Sequence, residues 1–430
     1  MTYDEAVEYL YNSAPLFQDI GAGAYKEGLE TTLALDAHFN HPHHHFKTIH
    51  IGGTNGKGSC SHTIAAILQN AGYKVGLYTS PHLVDFRERI RINGKMIPKE
   101  KVVAFVDEER SFFEPLHPSF FELTTALAFK HFAEENIDIA VIEVGLGGRL
   151  DCTNIIAPIL SVITNISFDH VQFLGDTLGK IAYEKAGIIK SKTPIIIGET
   201  TDDTKKVFAE VAKSLEAPIV FAEESDEILH YNSDASGIVY HTRNNGIVVG
   251  ELTGECQIKN TATILSAINT LRNQGVQIDN EHIVNGFKNV TQITGLRGRW
   301  YKVCESPLVV CDTGHNVAGV EYIVSQLNKQ NRRLHIVIGM VSDKDVNKVL
   351  SILPRNATYY FTKASVKRAL DEHELAEKAK THKLVGDTYQ DVESAFKAAM
   401  HSADENDMIF VGGSTFIVAD FLYYFDNKDK

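Results

Sequence analysis

A glycine-rich segment with one lysine offers the clearest chemistry in this sequence. Residues 52–59 read Gly-Gly-Thr-Asn-Gly-Lys-Gly-Ser. They lie between an apolar run that predicts a strand, Thr48–Gly52, and a run with helical spacing of apolar residues, Ser61–Ala71. Glycines let backbone N–H groups close around phosphate oxygens, the N-terminus of the following helix adds positive potential, and Lys57 can reach the outer phosphates. We therefore predict a phosphate-binding loop.

This segment differs from the standard P-loop at two positions. Ile51 stands where that pattern has glycine, and Gly58 stands where it has serine or threonine. The hydroxyl comes one residue later, at Ser59. The alternative is a structural glycine-rich turn, but the combination of strand, loop, lysine and helix favours phosphate binding.

Two ionisable residues follow the next predicted strands. Glu143 stands near the end of the apolar run Ile137–Val144, and His170 follows the run Ile159–Asn165. In an open α/β sheet, ligands collect at the carboxyl ends of the strands, so both side chains should face the same crevice as the phosphate loop. A carboxylate there can hold Mg²⁺ against nucleotide phosphates, whereas histidine is an uncommon Mg²⁺ ligand. Taken alone, His170 is more readily interpreted as a hydrogen-bonding residue.

Two other polar positions have a structural alternative. Lys185 lies in a predicted helix that ends near Gly187, where a lysine is usually a solvated charge paired with a neighbour. Residues 312–316, Asp-Thr-Gly-His-Asn, end another predicted strand. They can either cap the following helix or bind a ligand.

Two further motifs suggest functions that the sequence does not favour. Gly145–Asp151 resembles part of a dinucleotide fingerprint, but Leu150 replaces its third glycine, so a redox cofactor is not expected. Residues 41–45 read His-Pro-His-His-His. We predict a polar surface loop there rather than a metal site, because no nearby carboxylate or cysteine completes one.

The order of the predicted elements indicates how these residues are positioned. Short apolar runs alternate with helix-like stretches as far as Thr193–Gly198, which predicts a mostly parallel sheet covered by helices. Residues 222–257 read instead as short antiparallel strands, Ile238–His241 and Gly246–Gly250, that decorate this first domain. A loop signal, Asn12–Pro15, follows an N-terminal helical segment.

A second, smaller α/β domain begins after the segment Gly295–Arg299. Its predicted strands are Leu308–Cys311, His335–Ile338, Thr358–Phe361 and Met408–Val411, and its helices include Val317–Leu327 and Val392–Met400. We therefore place the two domains at residues 1–295 and 296–430.

Composition and charge limit the class of protein. The chain has 430 residues and 42 Lys+Arg against 55 Asp+Glu, a formal net charge of −13. This argues against a general nucleic-acid binder, which needs a basic surface. No apolar run approaches the ~18–20 residues that cross a bilayer, and the N-terminus lacks the pattern of a signal peptide. Five cysteines without CxxC spacing suggest a reducing, cytoplasmic location and no disulfide framework.

Six motifs, taken together, resemble one family. They are residues 53–59, 78–83 (Tyr-Thr-Ser-Pro-His-Leu), 143–151 (Glu-Val-Gly-Leu-Gly-Gly-Arg-Leu-Asp), 169–170 (Asp-His), 184–187 (Glu-Lys-Ala-Gly) and 312–316. In this order and spacing they resemble folylpolyglutamate synthase and bacterial dihydrofolate synthase of the Mur ligase superfamily, over residues 25–415. The resemblance implies an N-terminal P-loop ATPase domain with a mostly parallel sheet and a small antiparallel addition, and a smaller C-terminal Rossmann-like α/β domain.

The resemblance also implies a reaction. ATP would phosphorylate a carboxylate of dihydropteroate or of a reduced folate, and the amine of L-glutamate would attack the acyl phosphate, giving an amide, ADP and phosphate. Two Mg²⁺ ions are implied as cofactors with ATP. Phosphoryl transfer needs in-line positioning and neutralised charge, which Lys57 and Mg²⁺ can supply. No nucleic-acid or membrane partner is implied, and a monomer is expected.

The resemblance carries roles to residues that match the family motifs. The ATP contacts would be Thr54, Asn55, Gly56, Lys57, Gly58, Ser59, Asn260, Arg299 and Asp312. The metal ligands would be Ser80, Glu143, His170 and Lys185, the last as a carbamate that replaces a cation by an anion. The segments lining the dihydropteroate site would provide Thr79, Ser80, His82, Ser119, Phe120, Phe121, Glu122, Leu150, Asp151 and Cys152. The catalytic residues would be Lys57, Lys185 and His315.

The sequence departs from the family pattern in three places. Cys152 stands where alanine is common, Cys256 where histidine is common, and Thr313 and Gly314 alter the usual Gly-Ala order.

Two other functions compete with this prediction. One alternative is another Mur-type ligase, acting on peptidoglycan precursors. It needs a complete N-terminal α/β domain, for which the roughly 50 residues before the loop are too few. The other is a non-catalytic ATP-binding module, which would need neither Glu143 nor His170.

Overall fold

Strand β1 (Lys47–Gly52) shows how the sequence builds the larger sheet. All its residues except Lys47 are buried, as expected for a strand with parallel neighbours on both sides and helices on both faces. The computed structural model describes residues 1–12, 28–234, 237–342 and 345–428. The chain forms one unit from residues 1–82 and 86–296 and another from residues 83–85 and 297–430.

Seven more strands complete the large sheet of the first unit. They are β2 (Val75–Tyr78), β3 (Ile90–Ile92), β4 (Lys95–Met96), β5 (Ile139–Glu143), β6 (Leu160–Ile163), β7 (Ile195–Ile197) and β8 (Ile219–Phe221). Their order is β4-β3-β2-β5-β1-β6-β7-β8. All neighbouring pairs are parallel except β2–β3 and β3–β4. The carboxyl ends of β2, β5, β1 and β6 therefore meet at one edge of the sheet.

Helices cover both faces of this sheet. They are α1 (Tyr3–Asn12), α2 (Glu30–His38), α3 (Lys57–Asn70), α4 (Lys99–Phe113), α5 (Phe120–Glu134), α6 (Val171–Leu174), α7 (Leu178–Ala186), α8 (Asp202–Ser214), α9 (Gln257–Asn273), α10 (Asn280–Lys288) and α11 (Val290–Thr294). Val141 of β5 packs in one core with Ile64 of α3 and Leu265 of α9. Its neighbour Ile142 packs in another core with Phe129 of α5, because successive side chains of a strand point to opposite faces.

A small antiparallel sheet also belongs to the first unit. It consists of β9 (Ile228–Asp234), β10 (Gly237–Thr242) and β11 (Ile247–Gly250), with β10 in the middle. Tyr240 and Val248 point to the core that α3 and α9 share. The predicted antiparallel addition is confirmed, with one strand more than the two that the apolar runs indicated.

The second unit is a separate, smaller α/β fold. Its strands are β12 (Tyr301–Glu305), β13 (Leu308–Asp312), β14 (Leu334–Ile338), β15 (Ala357–Phe361), β16 (Val385–Thr388) and β17 (Met408–Gly412), in the order β12-β13-β17-β14-β15-β16. Only β12 is antiparallel to its neighbour. The helices are α12 (Val317–Asn328), α13 (Val346–Ile352), α14 (Glu372–Thr381), α15 (Val392–Ser402) and α16 (Thr415–Asn427). The predicted Rossmann-like α/β fold is thus confirmed. Of the helices that the structure describes in either unit, none combines the length and apolar composition that crossing a membrane requires.

Element boundaries differ from the prediction where local signals are weak. The predicted helix Ser61–Ala71 begins earlier, at Lys57, because the glycine loop ends at Gly56 and the chain enters the helix at once. Six short strands, β2, β3, β4, β8, β12 and β16, were not predicted. Strand β2 contains Gly76, whose missing side chain leaves room for Ile137. Beyond Asn12, the predicted loop signal Asn12–Pro15 lies outside the described residues.

The histidine cluster before β1 differs from the predicted surface loop. Residues Pro42–His45 form a 3₁₀ turn, and His43 is buried. The Nδ1 atoms of His41 and His43 lie 2.6 and 2.7 Å from the two carboxylate oxygens of Asp36. The expectation that no carboxylate lies nearby was wrong, because α2 places Asp36 beside the turn. Within the described ranges, no three His, Cys, Asp or Glu side chains are arranged to hold a metal ion.

Candidate active site

The glycine-rich loop follows β1 directly and closes at the start of α3. Gly53 has φ of +136°, and a Cβ atom there would lie 1.9 Å from Oγ1 of Thr164. Gly56 has φ of +83°, in the left-handed region that favours glycine. Helix α3 begins at Lys57, and no side chain in the described residues caps its N-terminus. The N–H groups of its first turn can therefore face an anion.

The side chains of Thr54 and Asn55 fasten this loop to the segment after β6. The backbone N–H of Thr54 donates to the carbonyl of Asn165 at 3.0 Å, and that of Asn55 donates to Oδ1 of Asn165 at 2.9 Å. The Thr54 hydroxyl accepts from the N–H of Ser167 at 3.1 Å. The polypeptide that leads to His170 is thus held against the phosphate loop.

Two lysines converge on one carbonyl oxygen of the loop. Nζ of Lys57 donates to the carbonyls of Gly53 and Thr54, both at 3.1 Å. Nζ of Lys185, from α7, donates to the same Gly53 carbonyl at 2.9 Å. Lys185 is buried, so its interpretation as a solvated helix charge is wrong. Burial, followed by the charge of Lys57, lowers the pKa of Lys185 to about 7.

Ser59 and Asn260, two of the predicted ATP contacts, meet through Gln257. Nε2 of Gln257 donates to the Ser59 hydroxyl at 3.2 Å, and Nδ2 of Asn260 donates to Oε1 of Gln257 at 2.9 Å. A Cβ atom at Gly56 would lie 2.4 Å from Oδ1 of Asn260, so the amide packs directly against the loop. The structure therefore brings α9 to the residues that the sequence singles out, although they are about 200 positions apart.

The three predicted metal ligands other than Lys185 follow strand ends at this edge of the sheet. Glu143 ends β5, pairs in register with Ile51 of β1, and is 4% exposed. Ser80 follows β2, the other neighbour of β5. His170 has φ of +49° and immediately precedes α6. Carboxylate and hydroxyl oxygens suit Mg²⁺, which usually keeps several waters and phosphate oxygens, so a small protein ligand set of this kind fits the ion.

The predicted substrate segment 119–122 combines a helix cap with two aromatic rings. Ser119 and Glu122 form a capping box at the start of α5, and Glu122 also accepts from the Thr32 hydroxyl at 3.2 Å. Their polar atoms thus have structural partners. Phe120 stacks on Tyr11 with ring centroids 5.1 Å apart, and Phe121 packs against Gly145.

The turn 150–152 is organised by its aspartate. Asp151 is 5% exposed, and Oδ2 accepts from the N–H of Leu146 at 2.8 Å while Oδ1 accepts from the N–H of Thr153 at 3.0 Å. Burial raises the pKa of Asp151. The Sγ atom of Cys152 lies 3.5 Å from the Thr125 hydroxyl, and Leu150 is half-buried.

One residue that the sequence analysis missed is Arg89. It is 3% exposed, although charged, and burial lowers its pKa. Its Nε donates to Nδ1 of His82 at 2.8 Å, and its guanidinium lies 5.1 Å from the centre of the Phe120 ring. Nε2 of His82 then donates to the Tyr11 hydroxyl at 2.9 Å. Buried Phe86 and Ile90 flank this charged stretch, and these apolar residues are the signal that could have identified it.

In the second unit, the segment 312–316 caps the following helix, which is one of the two roles that the sequence left open. Asp312 accepts from the N–H groups of Trp300 and Gly314 at 2.6 and 2.8 Å, and burial raises its pKa. Asn316 caps α12. Nδ1 of His315 donates to the Thr313 carbonyl at 3.0 Å, and Arg299 bonds to the Thr313 hydroxyl. Arg299, Asp312 and His315 therefore lie around one turn.

Comparison with known protein families matches both units. The Mur ligase middle domain matches residues 51–268, and the Mur ligase glutamate ligase domain matches residues 298–415. The dihydrofolate synthase/folylpolyglutamate synthase of Bacillus subtilis is 32% identical over 418 residues, which cover 92% of this chain and 94% of that protein. A probable bifunctional folylpolyglutamate synthase/dihydropteroate synthase of Haloferax volcanii is 32% identical over 98% of this chain, which spans only half of that relative's length.

Solved structures agree with these matches. Escherichia coli FolC in complex with DHPP and ADP has a TM-score of 0.86 and 30% identity, with 100% of this chain and 99% of that chain covered. A bifunctional folylpolyglutamate synthase/dihydrofolate synthase with Mn, AMPPNP and L-glutamate bound has a TM-score of 0.83 and 29% identity, over 99% and 98% of the chains. The chain therefore belongs to the dihydrofolate synthase/folylpolyglutamate synthase family of the Mur ligases.

Proposed function

We propose that this protein is an ATP-dependent ligase that joins L-glutamate to dihydropteroate, to folates, or to both. The observation that carries this proposal is the arrangement at the Gly53 carbonyl, where the phosphate-loop lysine and a buried second lysine meet, at the sheet edge where Glu143 ends β5. A simple phosphate-binding turn needs neither Lys185 nor Glu143. The relatives named above and the complexes with DHPP, ADP and L-glutamate support this substrate class.

In this proposal the phosphate loop binds ATP. The N–H groups at the start of α3 contact the phosphates, and Lys57 leaves the Gly53 and Thr54 carbonyls to neutralise charge on the transferred phosphoryl group. Asn260 holds the loop from α9. Arg299 and Asp312 are predicted to contact ATP, and His315 is predicted to act in catalysis, on the family resemblance.

Ser80, Glu143 and His170 would hold Mg²⁺, and Lys185 would add a ligand after carbamylation. A neutral Lys185 amine would attack CO₂, so that an N–C bond forms and one proton is released to solvent. The pKa of about 7 leaves a large share of this amine neutral at pH 7. Two bound Mg²⁺ ions would stabilise negative charge on the transferring phosphoryl group. The Mn complex of the related structure supports a divalent metal in this family.

The acceptor would lie against the segments after β2 and β5. Phe121, which is half-buried, provides an apolar face for an aromatic ring system, whereas one face of the buried Phe120 ring is covered by Tyr11. Asp151 provides a carboxylate whose position is fixed by backbone N–H groups. Aromatic side chains commonly stack on planar ligands, while a few placed polar groups give specificity. The activated carboxylate would then be attacked by the amine of L-glutamate.

Phosphate release with and without an acceptor tests the proposed function. We expect purified protein with ATP, Mg²⁺ and L-glutamate to release phosphate only after dihydropteroate or a reduced folate is added. Running each acceptor in turn separates dihydrofolate synthesis from polyglutamylation. Equal phosphate release without any acceptor would exclude this assignment, and nucleotide binding without turnover on either acceptor would favour a non-catalytic ATP-binding module.

Substitution of Arg89 should change the KM for the acceptor more than the KM for ATP. We expect Arg89→Lys to raise the KM for dihydropteroate about tenfold, because lysine keeps the charge but cannot reproduce the Nε–H bond that fixes His82. The KM for ATP should change less than twofold. Arg91→Lys is the matched control, since Arg91 lies two residues along and bonds to the Gly94 carbonyl instead. A similar rise in both KM values for Arg89→Lys would contradict this role.

We also propose that the protein is a monomer, on the family resemblance, and that it is cytoplasmic, because its cysteines are free thiols. Light scattering coupled to size-exclusion chromatography would measure the oligomeric state.

A further inference from the structure

The phosphate-loop strand carries a buried histidine that the proposed reaction does not use. His50 lies on β1, two residues before Gly52, and is 0% exposed. Its strand neighbours Ile49 and Ile51 point to the core shared with α3 and α9. Because strand side chains alternate, His50 points to the opposite face of the sheet. It is therefore directed away from the helix that follows the phosphate loop.

A chain of two hydrogen bonds connects His50 to the turn 150–152. Nε2 of His50 lies 2.8 Å from the hydroxyl of Thr153. The same hydroxyl donates to Oδ1 of Asp151. A threonine hydroxyl has one proton, and here that proton goes to the carboxylate. The hydroxyl must then accept from His50, so the hydrogen of the imidazole is on Nε2.

The rest of the imidazole also points to a neutral, directed donor. Burial, followed by the nearby charge of Lys190, lowers the pKa of His50 to about 3, so the ring is neutral. Its Nδ1 atom is buried and has no hydrogen-bond partner among the described residues. An apolar side chain would fill this place without leaving a buried acceptor unsatisfied, so packing alone does not account for a histidine.

The far end of the hydrogen-bond chain reaches the loop after β5. Oδ2 of Asp151 accepts from the N–H of Leu146, so the carboxylate is held between that loop and Thr153. Oδ1 accepts from both the backbone N–H and the hydroxyl of Thr153, and of these two donors only the hydroxyl can change its direction by rotating. His50 fixes that direction from the strand that carries the phosphate loop.

We propose that His50 is a positioning residue for the acceptor substrate. Its Nε2–H orients the Thr153 hydroxyl, which in turn holds the Asp151 carboxylate in the orientation that binds a planar, hydrogen-bonding acceptor. This inference rests on the proposed function, because it takes the turn 150–152 as part of the acceptor site. His50 does not contact the acceptor and has no role in proton transfer.

Two substitutions of His50 separate the effect of its hydrogen-bond donor from that of its side-chain volume. The amide nitrogen of glutamine reaches about as far as Nε2 of histidine, whereas that of asparagine reaches only as far as Nδ1. We expect His50→Asn to raise the dissociation constant for dihydropteroate about tenfold, and His50→Gln to change it less than threefold, because only glutamine restores the donor. ATP binding should change less than twofold in both variants. Isothermal titration calorimetry measures both affinities.

Thr153→Val tests the same chain from its middle and also serves if His50→Asn does not fold. We expect Thr153→Val to weaken dihydropteroate binding about as much as His50→Asn, and the double variant to lose no more than the larger single loss. His131→Asn is the matched control. His131 is also buried, and its Nδ1 atom has no hydrogen-bond partner in the part of the chain that the structure describes, but it lies near the C-terminal end of α5. This change should leave both affinities unaltered.

Equal dihydropteroate affinities for the Asn and Gln variants would overturn the proposal, and so would parallel losses of ATP and dihydropteroate binding. Additive losses in the double variant would overturn it as well. Wild-type protein that binds ATP but neither dihydropteroate nor a reduced folate would contradict the proposed function, and this inference with it. That failure is distinguishable, because it appears in the wild type before any substitution is made.

Discussion

Lys57→Ala is expected to lower acceptor-dependent phosphate release at least ~10³-fold, which corresponds to a loss of about 4 kcal/mol of transition-state stabilisation. Lys57 begins α3, and its Nζ lies within hydrogen-bond distance of two loop carbonyls. Bound phosphates would offer this ammonium stronger, charged acceptors. Alanine removes the only loop side chain that can neutralise the transferred group. A coupled assay for phosphate measures the effect on kcat.

The loss should appear in kcat more than in nucleotide affinity, since backbone N–H groups supply much of the ground-state binding. Lys180→Ala is a suitable control, because Lys180 lies on the surface of α7 and pairs with Asp176. This control should retain wild-type turnover. A kcat for Lys57→Ala within tenfold of the wild-type value would remove Lys57 from its proposed role.

Lys185→Ala is expected to lower turnover by at least ~10²-fold and to be partly rescued by formate. The substitution removes a buried amine beside the phosphate loop, and a small carboxylate can occupy the space and replace the negative charge that the carbamate provides. Lys180→Ala again serves as control in the same helix, and formate should leave its activity unchanged. Restored turnover is measured as a function of formate concentration.

Carbamylation of Lys185 also predicts a dependence on CO₂ and pH. The neutral amine fraction rises as pH increases through about 7, so removal of CO₂ at pH 6 should reduce activity and added bicarbonate at pH 8 should restore it. ¹³C NMR in ¹³C-bicarbonate should show one carbamate resonance that Lys185→Ala lacks. A fully active enzyme without that resonance would contradict the carbamate.

The fold could be predicted where apolar runs were continuous. Ile49 and Ile51 are buried in the core on one face of the sheet and His50 is buried on the other, and this run predicts a strand without knowledge of its neighbours. Strand β3 is different. It is three residues long and alternates isoleucine with Arg91, so its pairing with β2 and β4 defines it.

The candidate site could be predicted only in part, for a related physical reason. The glycine loop is local in sequence, and its chemistry can be read from eight neighbouring residues. Burial of Lys185 and of Arg89 depends on contacts between distant elements, which sequence spacing does not show. Asp36 is different, because it stands only five and seven residues before His41 and His43, and their contact depends on how α2 packs beside the 3₁₀ turn.

Strand β1 also has a consequence for tolerance to insertion and deletion. Its side chains alternate between the core shared with α3 and the face where His50 meets Thr153. A one-residue insertion between Lys47 and Ile51 would exchange these two faces. An isoleucine would then face Thr153, and the histidine would be buried under α3. A two-residue insertion would preserve the faces but displace the phosphate loop by about 7 Å relative to Glu143. The number of residues in this strand is therefore constrained by both the faces of the sheet and the position of the phosphate loop. Insertions and deletions should be confined to the loops at the other end of the sheet.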